Sequence, residues 1–192
     1  MPLMTMIKRE AETDAYHVDW TSLKPGDHIY CYRRLNVYSH HGIYVGDYRV
    51  IHFMGPERGS SISSSSISIS SIFFGEHCNI CGCKPKPQGG VVKTCLECFG
   101  NLRHLLVFEY GVSQFEFLVK NKGTCSVDQS DDPDVVVRRA TQILEDGAGF
   151  GEYDLWSNNC ETFAVHCKTG KGRSTQALAL LDGGVGGGCS IV

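Results

Sequence analysis

The sequence predicts an α+β domain, an antiparallel sheet packed on helices with a cysteine-rich insertion between its parts. Three observations carry that expectation. Strand-forming runs divided by tight-turn signals crowd the first third of the chain, helix-start signals with apolar residues at helical spacing appear only after Asp132, and C-x-x-C pairs lie between.

The elements follow in order. Met1 to Trp20 mixes charge, Thr and Met without periodicity and reads as a tail, so ordered structure is expected to begin near Ser22. Leu23-Lys24-Pro25-Gly26-Asp27 is a turn, because Pro-Gly sets the dihedrals of a reversal, and His28 to Tyr32 after it is rich in strand formers. Gly42-Ile43-Tyr44-Val45 and Tyr48 to Phe53 are two further strands, with a hairpin expected at Gly46-Asp47. Ser60 to Ile72, almost entirely Ser and Ile, is assigned as a loop. Glu76 to Gly100 is the cysteine-rich insertion, and the alternation of bulky residues over Leu102 to Tyr110 and Gln114 to Lys120 predicts more strand.

Helices close the domain. Asp132 as N-cap and Pro133 at the first helical position open one, whose buried face is Val136, Ala140, Ile143 and Leu144 and whose stop is Gly147. Asn158 and Glu161 have capping-box spacing for a second, with Phe163, Ala164 and Cys167 facing inward and Cys160 in its first turn. The expected domain therefore spans 21–169, with a flexible Gly-rich tail over 170–192.

Composition excludes some functions. A net charge of −3 with 20% charged residues gives no basic field for phosphate backbones, so nucleic acid is not an expected partner. No apolar stretch approaches the ~20 residues of a membrane span, and the first ten residues lack a signal-peptide pattern. A cytoplasmic, reducing environment is expected, in which the 10 cysteines bind metal or do chemistry rather than form disulfides.

A cysteine in the first turn of a helix lies beside unpaired backbone N–H groups and the positive end of the helix dipole, which stabilise a thiolate or an oxyanion. Cys160 is thus the candidate nucleophile. Its base is expected from the strands: His40 or His41, adjacent and on opposite faces, with His52 on the neighbouring strand roughly opposite position 40. One of the two adjacent imidazoles would activate the thiol and His52 would orient it.

Cys78-Asn79-Ile80-Cys81 and Cys95-Leu96-Glu97-Cys98, thirteen residues apart, have the spacing of two knuckles of a tetrahedral thiolate site suited to a structural Zn²⁺. His77 and Cys83 are reserve ligands. No cofactor is expected for catalysis, since four sulfurs would leave no open position on the metal. At the other end, Cys189-Ser190-Ile191-Val192 has the shape of a prenylation signal on a Gly-rich arm, which would give peripheral membrane contact.

His40-His41-Gly42-Ile43-Tyr44-Val45-Gly46-Asp47, Val50-Ile51-His52 and Asn158-Asn159-Cys160-Glu161-Thr162-Phe163 resemble, in order and spacing, the lecithin retinol acyltransferase (LRAT) domain family. The likeness covers about Ser22 to Lys168, and the cysteine-rich insertion is similar to that of the lead-sensitive-type members in plants. The resemblance implies a circularly permuted papain-like fold. It also implies His40 rather than His41 as base, His52 as second histidine and Cys160 as nucleophile. The implied activity is transfer of an acyl group from a phospholipid or other acyl donor, through a thioester on Cys160, to an alcohol, an amine or water. Two other functions fit the same residues: a non-catalytic scaffold of this fold that binds lipid or protein, and a papain-like thiol peptidase.

Overall fold

The computed structural model describes residues 18–33, 38–56, 78–83, 88–100, 102–121, 123–146 and 149–171. The first part of the N-terminal tail, the Ser/Ile tract, His77, Gly147 and the C-terminal arm with Cys189 lie outside the described residues.

Five strands form one antiparallel sheet in the order β4-β3-β2-β1-β5: β1 His28–Arg33, β2 Tyr38–Gly46, β3 Arg49–Met54, β4 Gly90–Cys95 and β5 Leu105–Val107. A second, two-stranded sheet pairs β6 Glu109–Tyr110 in parallel with β7 Cys125–Ser126. The helices are α1 Leu96–Phe99, α2 Gln114–Val119, α3 Pro133–Glu145 and α4 Cys160–Thr169.

Strand alternation divides the core into two layers. Ile43, Ile51, Phe53 and Val91 pack with Val136 and Ala140 of α3 and Phe163, Ala164 and Cys167 of α4. Leu23, Ile29, Cys31, Tyr44 and Val50 pack with Leu96 and Phe99 of α1 and with Leu105. The apolar spacing in α3 and α4 matches the expected buried faces. Upstream of Ser22, Val18 N–H donates to Leu105 O and Asp19 caps a short 3-10 turn, Trp20–Ser22.

Several local expectations are corrected. Gln114 to Val119 is helical, because Ser113 and Glu116 form a reciprocal capping box that outweighs the alternation of Phe115, Phe117 and Val119. The strand expected over Leu102 to Tyr110 is broken into a 3-10 turn at Leu102–His104 and the short strands β5 and β6. The second half of the cysteine-rich segment holds a strand that the sequence reading did not expect, β4, paired with β3 from Arg49↔Cys95 to Met54↔Gly90. The hairpin turns at Asp47 and Tyr48, both with positive φ, and an irregularity after Tyr44 shifts the register. Asp132 holds the N-cap position of α3 without a capping bond from its side chain. In α4 the cap is Asn159, whose side chain accepts from Glu161 and Thr162 N–H, while Asn158 Nδ2 instead donates to the Phe150 and Glu152 carbonyls. Gly170 ends α4 in the left-handed conformation, φ 71°.

Candidate active site and cysteine cluster

Cys160 is the first residue of α4, buried against β2. Its Sγ lies 3.8 Å from the Ser39 carbonyl oxygen and receives the backbone N–H of His41, so the thiol rests against the two peptide groups that flank His40. A third contact runs to Tyr153, a residue that motif reasoning did not single out. Its phenol lies beside Sγ and the Cys160 backbone N–H, close enough to bear on both. Asn159 occupies the next two amides of the helix, so its cap leaves that first N–H to Tyr153.

The histidine rings lie on the α1 face of the sheet. The register places Ile43 opposite Ile51, so His52 is across from Gly42 rather than from position 40. The rings of His40 and His52 still meet diagonally, with His40 Nε2 2.9 Å from His52 Nδ1. Gly42 allows this approach, because a Cβ there would fall 3.0 Å from His52 Cβ and 2.8 Å from Phe99 Cε2. Phe99 covers both imidazoles, at ring-centroid distances of 5.1 and 5.3 Å.

Hydrogen-bond polarity fixes the protons. Thr94 Oγ1 lies 3.1 Å from the Cys95 carbonyl, which only accepts, so the Thr94 hydroxyl proton is committed there. Thr94 Oγ1 therefore accepts from His52 Nε2–H at 3.0 Å, His52 Nδ1 accepts from His40 Nε2–H, and His40 Nδ1 keeps its lone pair.

His41 belongs to a different network. Its Nδ1 is 2.9 Å from His28 Nε2 and its Nε2 is 2.7 Å from Ser39 Oγ, while His28 Nδ1 reaches Tyr110 OH at 2.9 Å. Tyr30 stacks on His41 and Phe108 on His28.

Burial sets the charge state of the site. It pushes the Cys160 thiol up to about 11 against the His41 amide and the Tyr153 phenol, which favour the thiolate. It holds His40 well below the usual imidazole range, helped by His52 and Arg33, and lowers His52 to about 3. The resting pair is therefore neutral thiol and neutral imidazole: desolvation outweighs the pull of the helix terminus on the sulfur, and a base is still needed. The polar contacts of Cys160 run to the Ser39 carbonyl, the His41 and Glu161 backbone N–H groups and Tyr153; neither imidazole is among them.

The four predicted cysteines converge. Their Sγ atoms all lie within 4.8 Å of one another, with Cys78–Cys95 at 3.7 Å and Cys81–Cys98 at 3.8 Å, a cluster able to hold a metal ion. Cys78 is lowered to about 6 by the backbone N–H groups of Cys81 and Ile80, an arrangement of amides on sulfur typical of a knuckle. Gly82 N–H donates to Cys78 O and Arg49 to Ile80 O, tying the first knuckle to β3. Cys83 is not one of the four.

A mixed sheet and helix domain in which two strand-borne histidines precede a helix-borne cysteine agrees with the family whose model, lecithin retinol acyltransferase, matches residues 21–173. The chain belongs to that family. It is similar to Protein LEAD-SENSITIVE 1 of Arabidopsis thaliana, 44% identical over 178 residues that cover 86% of this chain and 68% of the relative.

Proposed function

We propose that the protein is a thiol-dependent acyltransferase or phospholipase-type acyl hydrolase that forms a thioester on Cys160, with His40 as base and His52 as its orienting partner. The observation that carries this reading is the directed chain from the Cys95 carbonyl through Thr94 and His52 to His40, which leaves one basic nitrogen, His40 Nδ1, on the residue flanked by the peptide groups that hold the thiol. The order of histidines before cysteine along the chain supports reading the fold as a circular permutation of a papain-like domain.

The chemistry follows from those groups. As Sγ attacks the ester carbonyl of an acyl donor, the thiol proton passes to His40 Nδ1 and the carbonyl oxygen becomes an oxyanion. The Tyr153 hydroxyl and the Cys160 amide lie beside the sulfur, and both would turn from their resting contacts to donate to this oxyanion. Collapse breaks the ester C–O bond, and the leaving alcohol takes the proton from His40. An acceptor alcohol, amine or water then gives its proton to His40, attacks the thioester and releases the thiol. A neutral resting pair suits this sequence, since no buried charge exists until the substrate supplies the oxyanion.

The donor is proposed to be a phospholipid reached by peripheral contact at a bilayer. Leu155 and Trp156, 48% and 63% exposed, stand on the segment leading into Cys160, where an apolar pair would enter the lipid interface. The four-cysteine cluster is proposed to take Zn²⁺ as a structural ion. A tetrahedron with Zn–S of ~2.3 Å has sulfur–sulfur edges of about 3.8 Å, close to the Cys78–Cys95 and Cys81–Cys98 separations.

Intact-mass measurement after incubation with phosphatidylcholine vesicles tests the reaction. One added acyl chain on the wild type and none on Cys160→Ala is the expected result. An unmodified wild type, or equal labelling of both, overturns it and leaves the binding scaffold as the reading of the fold.

A further inference from the structure

Two residues that hold the histidine pair are the immediate neighbours of two cluster cysteines. Cys95 ends β4 and Cys98 lies in α1, so the segment 95–98 is bracketed by Thr94 and Phe99. Thr94 anchors His52 Nε2, and Phe99 covers both imidazole rings. The acceptor that commits the Thr94 proton is the carbonyl of Cys95 itself.

Leu96 and Phe99 anchor this segment in the core, but the backbone between them is short. Helix α1 is a single turn of four residues, and Cys95 at its N-cap makes no capping bond with its side chain. Such a turn gains too little from its own hydrogen bonds to fix its orientation. The Leu96 N–H bond to Tyr48 O and the Arg33 bond to Phe99 O fasten it to the sheet, while its two sulfurs meet Cys78 and Cys81 of the first knuckle. An ion bound by all four thiolates would join the knuckles and fix the angle at which Cys95 presents its carbonyl and Cys98 delivers Phe99.

We infer that metal occupancy of the Cys78, Cys81, Cys95 and Cys98 site sets the orientation and tautomer of the His40–His52 pair, which makes Cys95 and Cys98 positioning residues for the thiol. The inference rests on the proposed Zn²⁺ site, and its consequence for rate rests on the proposed thioester chemistry; the state of the imidazoles is measured independently of either. With the ion removed, the Cys95 carbonyl and Thr94 hydroxyl lose their fixed relation, His52 is free to protonate on either nitrogen, and His40 Nδ1 is no longer held as the bare one.

The test uses the full-length protein labelled with ¹⁵N-histidine and loaded with Zn²⁺. Zinc content is read by elemental analysis, the tautomers of His40 and His52 by long-range ¹H–¹⁵N correlation, and acylation of Cys160 by intact mass in a single turnover. The wild type should hold one Zn²⁺ at this site with both histidines protonated on Nε2. Cys98→Ser should lose the ion, convert the His52 signals to a tautomer mixture and slow acylation tenfold or more, and Cys98→His, which restores a ligand, should recover all three. Cys81→Ser removes the ion while leaving segment 95–98 intact, so it repeats the comparison should Cys98→Ser not fold. A folded protein that takes up no Zn²⁺, or one whose tautomers are unchanged when the ion is lost, overturns the inference. Tautomers that follow zinc in a protein that never acylates would uphold it while refuting the proposed reaction.

Discussion

The Tyr153 phenol lies beside the Cys160 thiol and the backbone N–H of the same residue. This double contact places a donor and the first amide of α4 together beside the sulfur. Tyr153→Phe keeps the ring that packs 5.0 Å from Phe53 and against Gly55, so unfolding free energy should change by no more than about 1 kcal/mol. Under the proposed thioester chemistry, in which Tyr153 donates to the oxyanion, its loss should lower the single-turnover acylation rate by roughly 100-fold. Urea unfolding together with acylation kinetics checks both halves. A rate unchanged from wild type would remove Tyr153 from the chemistry.

Gly42→Ala should separate packing from register. The added Cβ would meet Val50 Cγ1 at 2.7 Å and Phe99 Cε2 at 2.8 Å, so β3 or α1 must move. A cost of about 1–3 kcal/mol in urea unfolding is expected, the usual range for overpacking. His52, the third neighbour, should move with it, and the His40–His52 hydrogen bond should weaken. The downfield imidazole proton of that bond, followed by NMR, reports the change.

Asn159→Ala removes the acceptor for the Glu161 and Thr162 amides and should destabilise the protein by about 1 kcal/mol, with acylation falling further than stability because Cys160 is the next residue. Asn159→Asp retains the acceptor and should keep most of the stability. Thermal unfolding of the two variants separates them, and equal losses would show that the cap contributes nothing.

Much of this site was legible because its signals are local and chemical. Cys160 at a helix start, the C-x-x-C pairs and the turn at Pro25-Gly26 each announce themselves within a few residues. The sequence misled where two local signals competed. Asn158 and Asn159 stand side by side, and the Asn158-to-Glu161 spacing pointed to the wrong member of the pair as cap. At 114–119 the alternation of Phe115, Phe117 and Val119 hid the Ser113–Glu116 box. Phe115, Leu118 and Val119 remain exposed there, so burial did not choose the conformation. The strand β4 was hidden by the cysteines at its end, although Val91-Val92 after Gly89-Gly90 carried a strand signal. Thr94, Phe99 and Tyr153 were illegible for another reason. Their roles arise only when β4 lies beside β3 and the segment before α4 crosses Gly55, relations that no residue spacing encodes.

Acid should unfold the protein through its buried histidines. His28 and His40 are held well below the usual imidazole value, and His41 and His52 are lowered to about 3, in each case chiefly by burial. In the unfolded chain these rings take protons near pH 6.5, whereas in the folded protein they stay neutral, so below that pH the unfolded state binds more protons. Stability is therefore fully present above about pH 6.5 and is lost as pH falls below it toward the lowered folded values, each ring contributing up to about 1.4 kcal/mol per pH unit. Urea midpoints should be level between pH 7 and 8 and drop steeply from pH 6 to 4.5, with proton uptake on unfolding. His41→Asn, which removes one titrating ring from the network with His28 and Ser39, should lower stability at pH 7 and flatten the acid slope. A slope that His41→Asn leaves unaltered would mean that the loss below pH 6.5 arises in carboxylates instead.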